Sequence, residues 1–180
     1  MERLEEKYGK EIAPKLQAEL GKKNIFEVPK ITKVVVSSGI GAYKEDKGKI
    51  ETLQKELAKI TGLRPKVNLS RKAVSAFKLR IGLPIGLTVT LRGAKMYDFV
   101  SKLINVALPR VRDFRGLNIE SFDNSGNYSI GIKDYSIFPE VRHEEAVEDL
   151  GLQVNIKTSA KNKEEAQKLL NYLGFPFKKD

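Results

Sequence analysis

A chain of 180 residues, 41% hydrophobic and 31% charged, carries enough apolar material for one folded domain with its own core. Its 33 lysines and arginines exceed its 23 aspartates and glutamates, and the formal net charge of +10 draws polyanions: RNA, DNA or an acidic membrane surface. The absence of cysteine excludes a disulfide framework, a thiolate metal site and a cysteine nucleophile, and no stretch approaches the ~18 consecutive apolar residues of a spanning helix.

The opening MERLEEKYGKEIAPKLQAEL lacks the apolar run of a signal peptide. Leu4, Tyr8, Ile12, Leu16 and Leu20 recur every fourth position and predict a first helix, with Gly21 placed to end it in a left-handed conformation. After Pro29 the β-branched run KITKVVVSS reads as a buried strand, followed by a glycine-rich turn at Gly39 and Gly41. Ile50, Leu53, Leu57 and Ile60 predict a second helix closed by Thr61 and Gly62. Strand signals return at Lys66–Leu69 and Ile85–Leu91. A third helix is predicted from Ala94 to Leu108, stopped by Pro109, and Arg110–Asn127 reads as a long loop. Alternation at Tyr128, Ile130 and Ile132 and at Leu152, Val154 and Ile156 predicts two more strands, with a last helix near Lys161–Leu173.

This interleaving predicts an α+β fold: a two-layer sandwich of a mainly antiparallel sheet with helices packed on one face, the other face left for a ligand. The expected organisation is one RNA-binding domain over residues 1–180 with projecting basic loops near 70–84 and 109–127. The weak points for a boundary are Pro109–Asn127 and Pro139–Leu150.

The layout of charge says more than its sum. From Leu57 through Tyr97 there is no Asp or Glu, while the same stretch holds Lys59, Arg64, Lys66, Arg71, Lys72, Lys78, Arg80, Arg92 and Lys95. At its centre, SRKAVSAFKLRIGLPIG sets Arg71 and Lys72 apart from Lys78 and Arg80, with Phe77 beside them and glycines and Pro84 marking a projection. Lysine and arginine neutralise phosphates, and an exposed aromatic ring stacks on an unstacked base. The bland alternative is a solubilising basic surface with Phe77 packed inside; the unbroken lack of acids favours phosphate binding. A second cluster, Arg110, Arg112 and Arg115 around Asp113 and Phe114, fits either RNA contact or an arginine–aspartate pair that fixes the loop. Phe114 and Phe122 suit anchoring of that loop or a protein docking surface.

Catalysis finds little support. His143 stands alone among acids and reads as a solvated histidine. SSGIGAYKEDKGK matches neither the phosphate-loop pattern nor the dinucleotide fingerprint, and Ser37 and Ser38 have no companion base. Asp113, Glu120 and Asp123 could cluster, but the neighbouring Asn124, Ser125, Gly126 and Asn127 make Asp123 a turn residue first.

Several long segments in the right order give the chain a strong resemblance to the bacterial-type large-subunit ribosomal protein family L-five: VPKITKVVVSSGIG, ITGLRPKVNLSRKAVSAFKLRIGLPIGLTVTLRG, KMYDFVSKLINVALPRVRDFRG, NYSIGIKDYSIFPE and AKNKEEAQKLLNYLGFPF. The resemblance covers essentially Met1–Lys179. It implies a non-enzymatic structural constituent of the large subunit's central protuberance, cytoplasmic within the ribosome, with no cofactor, no metal and no membrane partner. By the same resemblance the implied partners are 5S ribosomal RNA, peptidyl-site transfer RNA, further large-subunit ribosomal RNA, neighbouring ribosomal proteins and the small-subunit head protein S-thirteen. Lys33, Ser37, Arg64, Lys66, Ser70, Thr88, Thr90 and Arg92 are the candidate 5S-binding residues. Arg71, Lys72, Phe77, Lys78 and Arg80, within the family's projecting loop at Ser70–Gly82, are the transfer-RNA candidates. Arg110, Arg112, Phe114 and Arg115, within Arg110–Tyr135, are the candidates for the protein bridge. Two positions depart from the family pattern: Ser37-Ser38 stands where Asn-Met is common, and Leu63 where Gln is usual, so an amide contact is missing at each. The alternatives are a protein-binding adaptor built on the Phe114–Phe122 loop and an extra-ribosomal RNA chaperone.

Overall fold

The computed structural model describes residues 3–141 and 150–178; His143 and most of the Pro139–Leu150 segment lie outside the described residues. Among the described residues the strands are β1 (Ile31–Gly39), β2 (Lys66–Leu69), β3 (Pro84–Leu91), β4 (Tyr128–Ile132) and β5 (Leu152–Thr158), arranged in the order β2-β3-β1-β5-β4. The helices are α1 (Leu4–Lys7), α2 (Ala13–Leu20), α3 (Lys47–Thr61), α4 (Gly93–Lys102) and α5 (Lys163–Tyr172), with short 3-10 and π-helical turns between elements. The fold is α+β, an antiparallel sheet with helices packed on one face. By compactness the chain divides into two units, one of residues 1–34, 92–130 and 155–180, the other of residues 35–91 and 131–154.

In the first unit the predicted opening helix is present but interrupted. A π-helical turn spans Tyr8–Ile12 between α1 and α2, and Pro14, which has no N–H to return to Lys10, sits just beyond it. Gly21 ends α2 with φ 61°, the left-handed cap expected of it. The Tyr8 hydroxyl donates to the Pro29 carbonyl at 2.9 Å, and burial, with Tyr97 adding to it, pushes that hydroxyl's pKa up to about 12. Met96, Phe99, Val100 and Leu103 from α4 and the turn after it, with Ala166, Leu169 and Leu170 from α5, make the unit's apolar interior. Each large side chain among them contributes ~1.5–3 kcal/mol of transfer free energy on burial. The Asn162 side chain caps α5 by accepting from the Glu165 amide at 2.9 Å, and the Glu165 carboxylate takes Lys22 Nζ at 2.7 Å.

In the second unit α3 buries Ile50, Leu53, Leu57 and Ile60, the stripe read from the sequence, and ends at Gly62 with φ 67°. On β3, Leu87, Val89 and Leu91 are buried while Thr88 is half-buried and Thr90 exposed, so one strand face joins the core and the other remains open. Gly86 sits close against β1: a Cβ there would lie 3.3 Å from the Ser38 carbonyl oxygen, a tight contact. Ser38 itself, where the resemblance leads one to expect a methionine, is 6% exposed and donates its hydroxyl to the Gly151 carbonyl at 2.8 Å. The smaller side chain is therefore a satisfied buried polar group.

Candidate nucleic-acid interface

The open face of the second unit is set by strand register. β2 pairs antiparallel with β3, placing Lys66 opposite Thr88 and Asn68 opposite Gly86. Directly opposed residues share a face, so Lys66, Asn68, Thr88 and, two residues on, Thr90 line the side away from Leu87 and Val89. Asn68 Nδ2 donates to Thr88 Oγ1 at 2.6 Å, which leaves the Thr88 hydroxyl proton free to face a ligand. Ser37 is half-buried on β1, between buried Val36 and Ser38, and Arg64 is exposed in the turn after α3. Near that turn the Thr61 hydroxyl serves the carbonyls of Leu57 at 2.7 Å and Leu63 at 3.1 Å. The other two sheet candidates fall in the first unit: Lys33 is half-buried on β1, and Arg92 is exposed just before α4.

Ser70 stands apart from the other seven. It is 7% exposed, and its hydroxyl donates to the Lys72 carbonyl at 2.7 Å. Its backbone closes the neck of the next loop: Ser70 N–H donates to Leu83 O at 2.8 Å and Gly82 N–H to Ser70 O at 2.9 Å.

Residues 71–82 leave the sheet as an extension fastened twice, at that neck and near the tip, where Val74 and Leu79 exchange both backbone hydrogen bonds at 3.0 Å. Between those two residues lies a tight turn, Ser75–Phe77 in 3-10 form with Lys78 in the left-handed region at φ 50°. Every residue from Arg71 to Lys78 is exposed, as are Arg80 and Ile81. Phe77 is 71% and Ile81 72% exposed, so the ring is not packed inside. Arg64, Lys66, Arg71, Lys72, Lys78, Arg80 and Arg92 have no ion-pair partner among the described residues. Their field is therefore available to an external polyanion.

The second basic loop, in the first unit, is built differently. Arg110, Arg112 and Arg115 are exposed and Phe114 is half-buried, while Asp113, at φ 53°, makes no ion pair with these arginines. The fixing arginine–aspartate pair that the sequence allows is thus absent, and other contacts hold the loop. Leu117 N–H donates to Pro176 O at 2.8 Å and Lys178 N–H to Leu117 O at 3.0 Å. Phe122 packs against Tyr128 and Phe177, with ring centroids 4.4 and 5.7 Å away. Asp123 receives the Ser125 amide at 2.9 Å and the Asn127 amide at 2.7 Å, the turn role read from the sequence. Asp113, Glu120 and Asp123 form no metal-holding group among the described residues.

Sequence reasoning missed two side chains here. Asn68 belongs to the open face, but its alignment with Thr88 depends on register. Lys44, which reaches the projecting loop, gave no signal beyond its charge.

Comparison with known proteins fits this arrangement. A model of the C-terminus of the ribosomal L5 family matches residues 84–177, and one of ribosomal protein L5 matches residues 24–80. The large ribosomal subunit protein uL5 of Mesoplasma florum is 50% identical over 177 residues, covering 98% of each chain. Its counterpart in Thermus aquaticus is 49% identical over 176 residues, covering 98% of this chain and 97% of that one. The Thermotoga maritima uL5 protein is 50% identical over 176 residues, covering 98% and 96%. With both halves matched by its models and relatives aligned nearly end to end, the chain belongs to the ribosomal protein L5 family.

Proposed function

We infer that this chain is a structural, non-catalytic constituent of the large ribosomal subunit, binding 5S ribosomal RNA and contacting transfer RNA. Family membership carries that conclusion, and the unpaired cationic surface of residues 64–92 supplies its physical means. The finer assignment is a division of labour. The open sheet face, with Lys66, Thr88 and Thr90 and with Ser37 and Arg64 nearby, takes 5S RNA through ribose hydroxyls and phosphates; Lys33 and Arg92 add charge from the adjoining chain. The extension bearing Arg71, Lys72, Phe77, Lys78 and Arg80 takes peptidyl-site transfer RNA. Ser70 supports that extension through its backbone and hydroxyl. Arg110, Arg112, Phe114 and Arg115 face the small-subunit head protein S-thirteen.

Two features support the division. The sheet residues stand on hydrogen-bonded strands, suited to a ligand held permanently, whereas the extension is held by a few backbone hydrogen bonds and the Lys44 ammonium, suited to a partner that comes and goes. Neutralising Arg71, Lys72, Lys78 and Arg80 together tests it. Losing four phosphate contacts should weaken transfer-RNA binding on the order of a hundredfold at near-physiological salt and flatten its salt dependence. Binding to 5S RNA should stay within a few-fold. An equal loss for both RNAs, in a protein that still melts cooperatively, would refute the division.

A further inference from the structure

The glycine-rich segment after β1 has no part in the roles assigned so far, yet it delivers a lysine to the projecting loop. Lys44 Nζ donates to the Phe77 carbonyl at 3.1 Å and to the Lys78 carbonyl at 2.8 Å, across 33 and 34 residues of sequence. Neither oxygen is used within the turn, whose own N–H groups go to the carbonyls of Val74 and Ser75. The segment carrying Lys44 is itself fastened, with Ile40 N–H donating to Ile85 O at 3.1 Å and Tyr43 N–H to Ile40 O at 2.9 Å.

We propose that Lys44 is a positioning residue for RNA recognition, clamping the two peptide planes that aim Phe77 and Lys78 outward. This rests on the reading of the extension as the transfer-RNA contact. Lys78 is a non-glycine residue in the left-handed region, a conformation that is strained and persists only where its surroundings hold it. An ammonium bound to the carbonyls on both sides of the Lys78 Cα supplies that hold through charge-assisted hydrogen bonds. Two of the three ammonium protons are engaged in this way, so the main service of Lys44 is to the loop and not to a phosphate.

The test compares Lys44→Met with Lys47→Met. Each removes one positive charge, but Lys47 is exposed at the first position of α3 and, among the described residues, makes no hydrogen bond to the tip. Lys44→Met should speed amide exchange at Leu79, whose N–H closes the tip on Val74 O, by about tenfold, and weaken transfer-RNA binding by about tenfold. Lys47→Met should leave Leu79 exchange unchanged and cost binding only the few-fold due to one charge. Lys44→Arg, which keeps charge and donors, should restore most of the protection, and all three variants should hold 5S RNA within about twofold. Equal exchange and equal affinity in the two Met variants would overturn the proposal. Failure of the unaltered protein to bind transfer RNA would instead sink the assignment of the extension, while the exchange comparison would still decide whether Lys44 holds the tip.

Discussion

Residues 71–82 and 110–127 are both arginine-bearing loops with a phenylalanine inside, yet Phe77 is 71% exposed and Phe122 8%. The difference lies in what each unit offers across from the ring. Phe122 has Tyr128 and Phe177 within centroid distances of 4.4 and 5.7 Å, and Leu117 bridges to Phe177. Among the described residues Phe77 has no such cluster, and its loop is held by backbone hydrogen bonds and one lysine. A loop whose apolar residues find partners in its own unit becomes part of the core. One whose apolar and cationic residues find none is left open to solvent, and solvent-exposed phenylalanine beside unpaired arginine suits nucleic acid.

Truncating each ring should expose the contrast most sharply. Phe122→Ala should destabilise the protein by about 3 kcal/mol, read by denaturant unfolding, because it empties an aromatic cluster. Phe77→Ala should stay within about 0.5 kcal/mol in the same assay. Similar losses from both would erase the distinction between anchored and projecting loops. A smaller effect is expected in binding: Phe77→Ala should lower transfer-RNA affinity by about 1–3 kcal/mol, the worth of one base–aromatic stack. An unchanged affinity would reduce the loop to its charges.

The smallest effect is a pH response confined to one loop. Partial burial acts to raise the Asp123 pKa, but the Asn127 side chain and the Asn127 and Ser125 amides outweigh it, so the value falls below the ordinary 3.8. A carboxylate that is a stronger acid when folded adds stability above pH 3.8, and that contribution is lost as pH falls through the depressed folded value. Acid should therefore loosen the Ser125 and Asn127 amides in hydrogen exchange. No such carboxylate lies between Leu57 and Tyr97, so the Val74–Leu79 pair should be insensitive over that range. Loosening of both loops together would point to general acid unfolding.

Much of this is legible in the residues. The apolar stripe of α3, the glycine ends at Gly21 and Gly62, and the alternation on β4 and β5 each follow from local periodicity and from glycine's tolerance of positive φ. The acid-free stretch also marks the extension directly. Less is visible where long-range contacts decide. Periodicity carries the third helix through Leu108, whereas the chain turns π-helical over Leu103–Ala107. The segment after Pro109 reads as a long loop with Phe114 and Phe122 as either anchors or a docking surface, and only the fold makes Phe122 the anchor by bringing it to Phe177 beside Leu117. Ser70 illustrates the same limit: a serine in a basic run resembles an RNA contact, and only the neck geometry gives its hydroxyl to Lys72.

The sequence by itself determined the α+β class, the family and the cationic stretch, because periodicity, ordered motifs and missing acids are properties of neighbouring residues. Tertiary structure alone decided which phenylalanine is buried, which polar side chains share a strand face and where the Lys44 ammonium lands. Those outcomes depend on groups brought together across 20 to 55 residues of chain, from the 20 between Asn68 and Thr88 to the 55 between Phe122 and Phe177, and local pattern carries no record of such meetings.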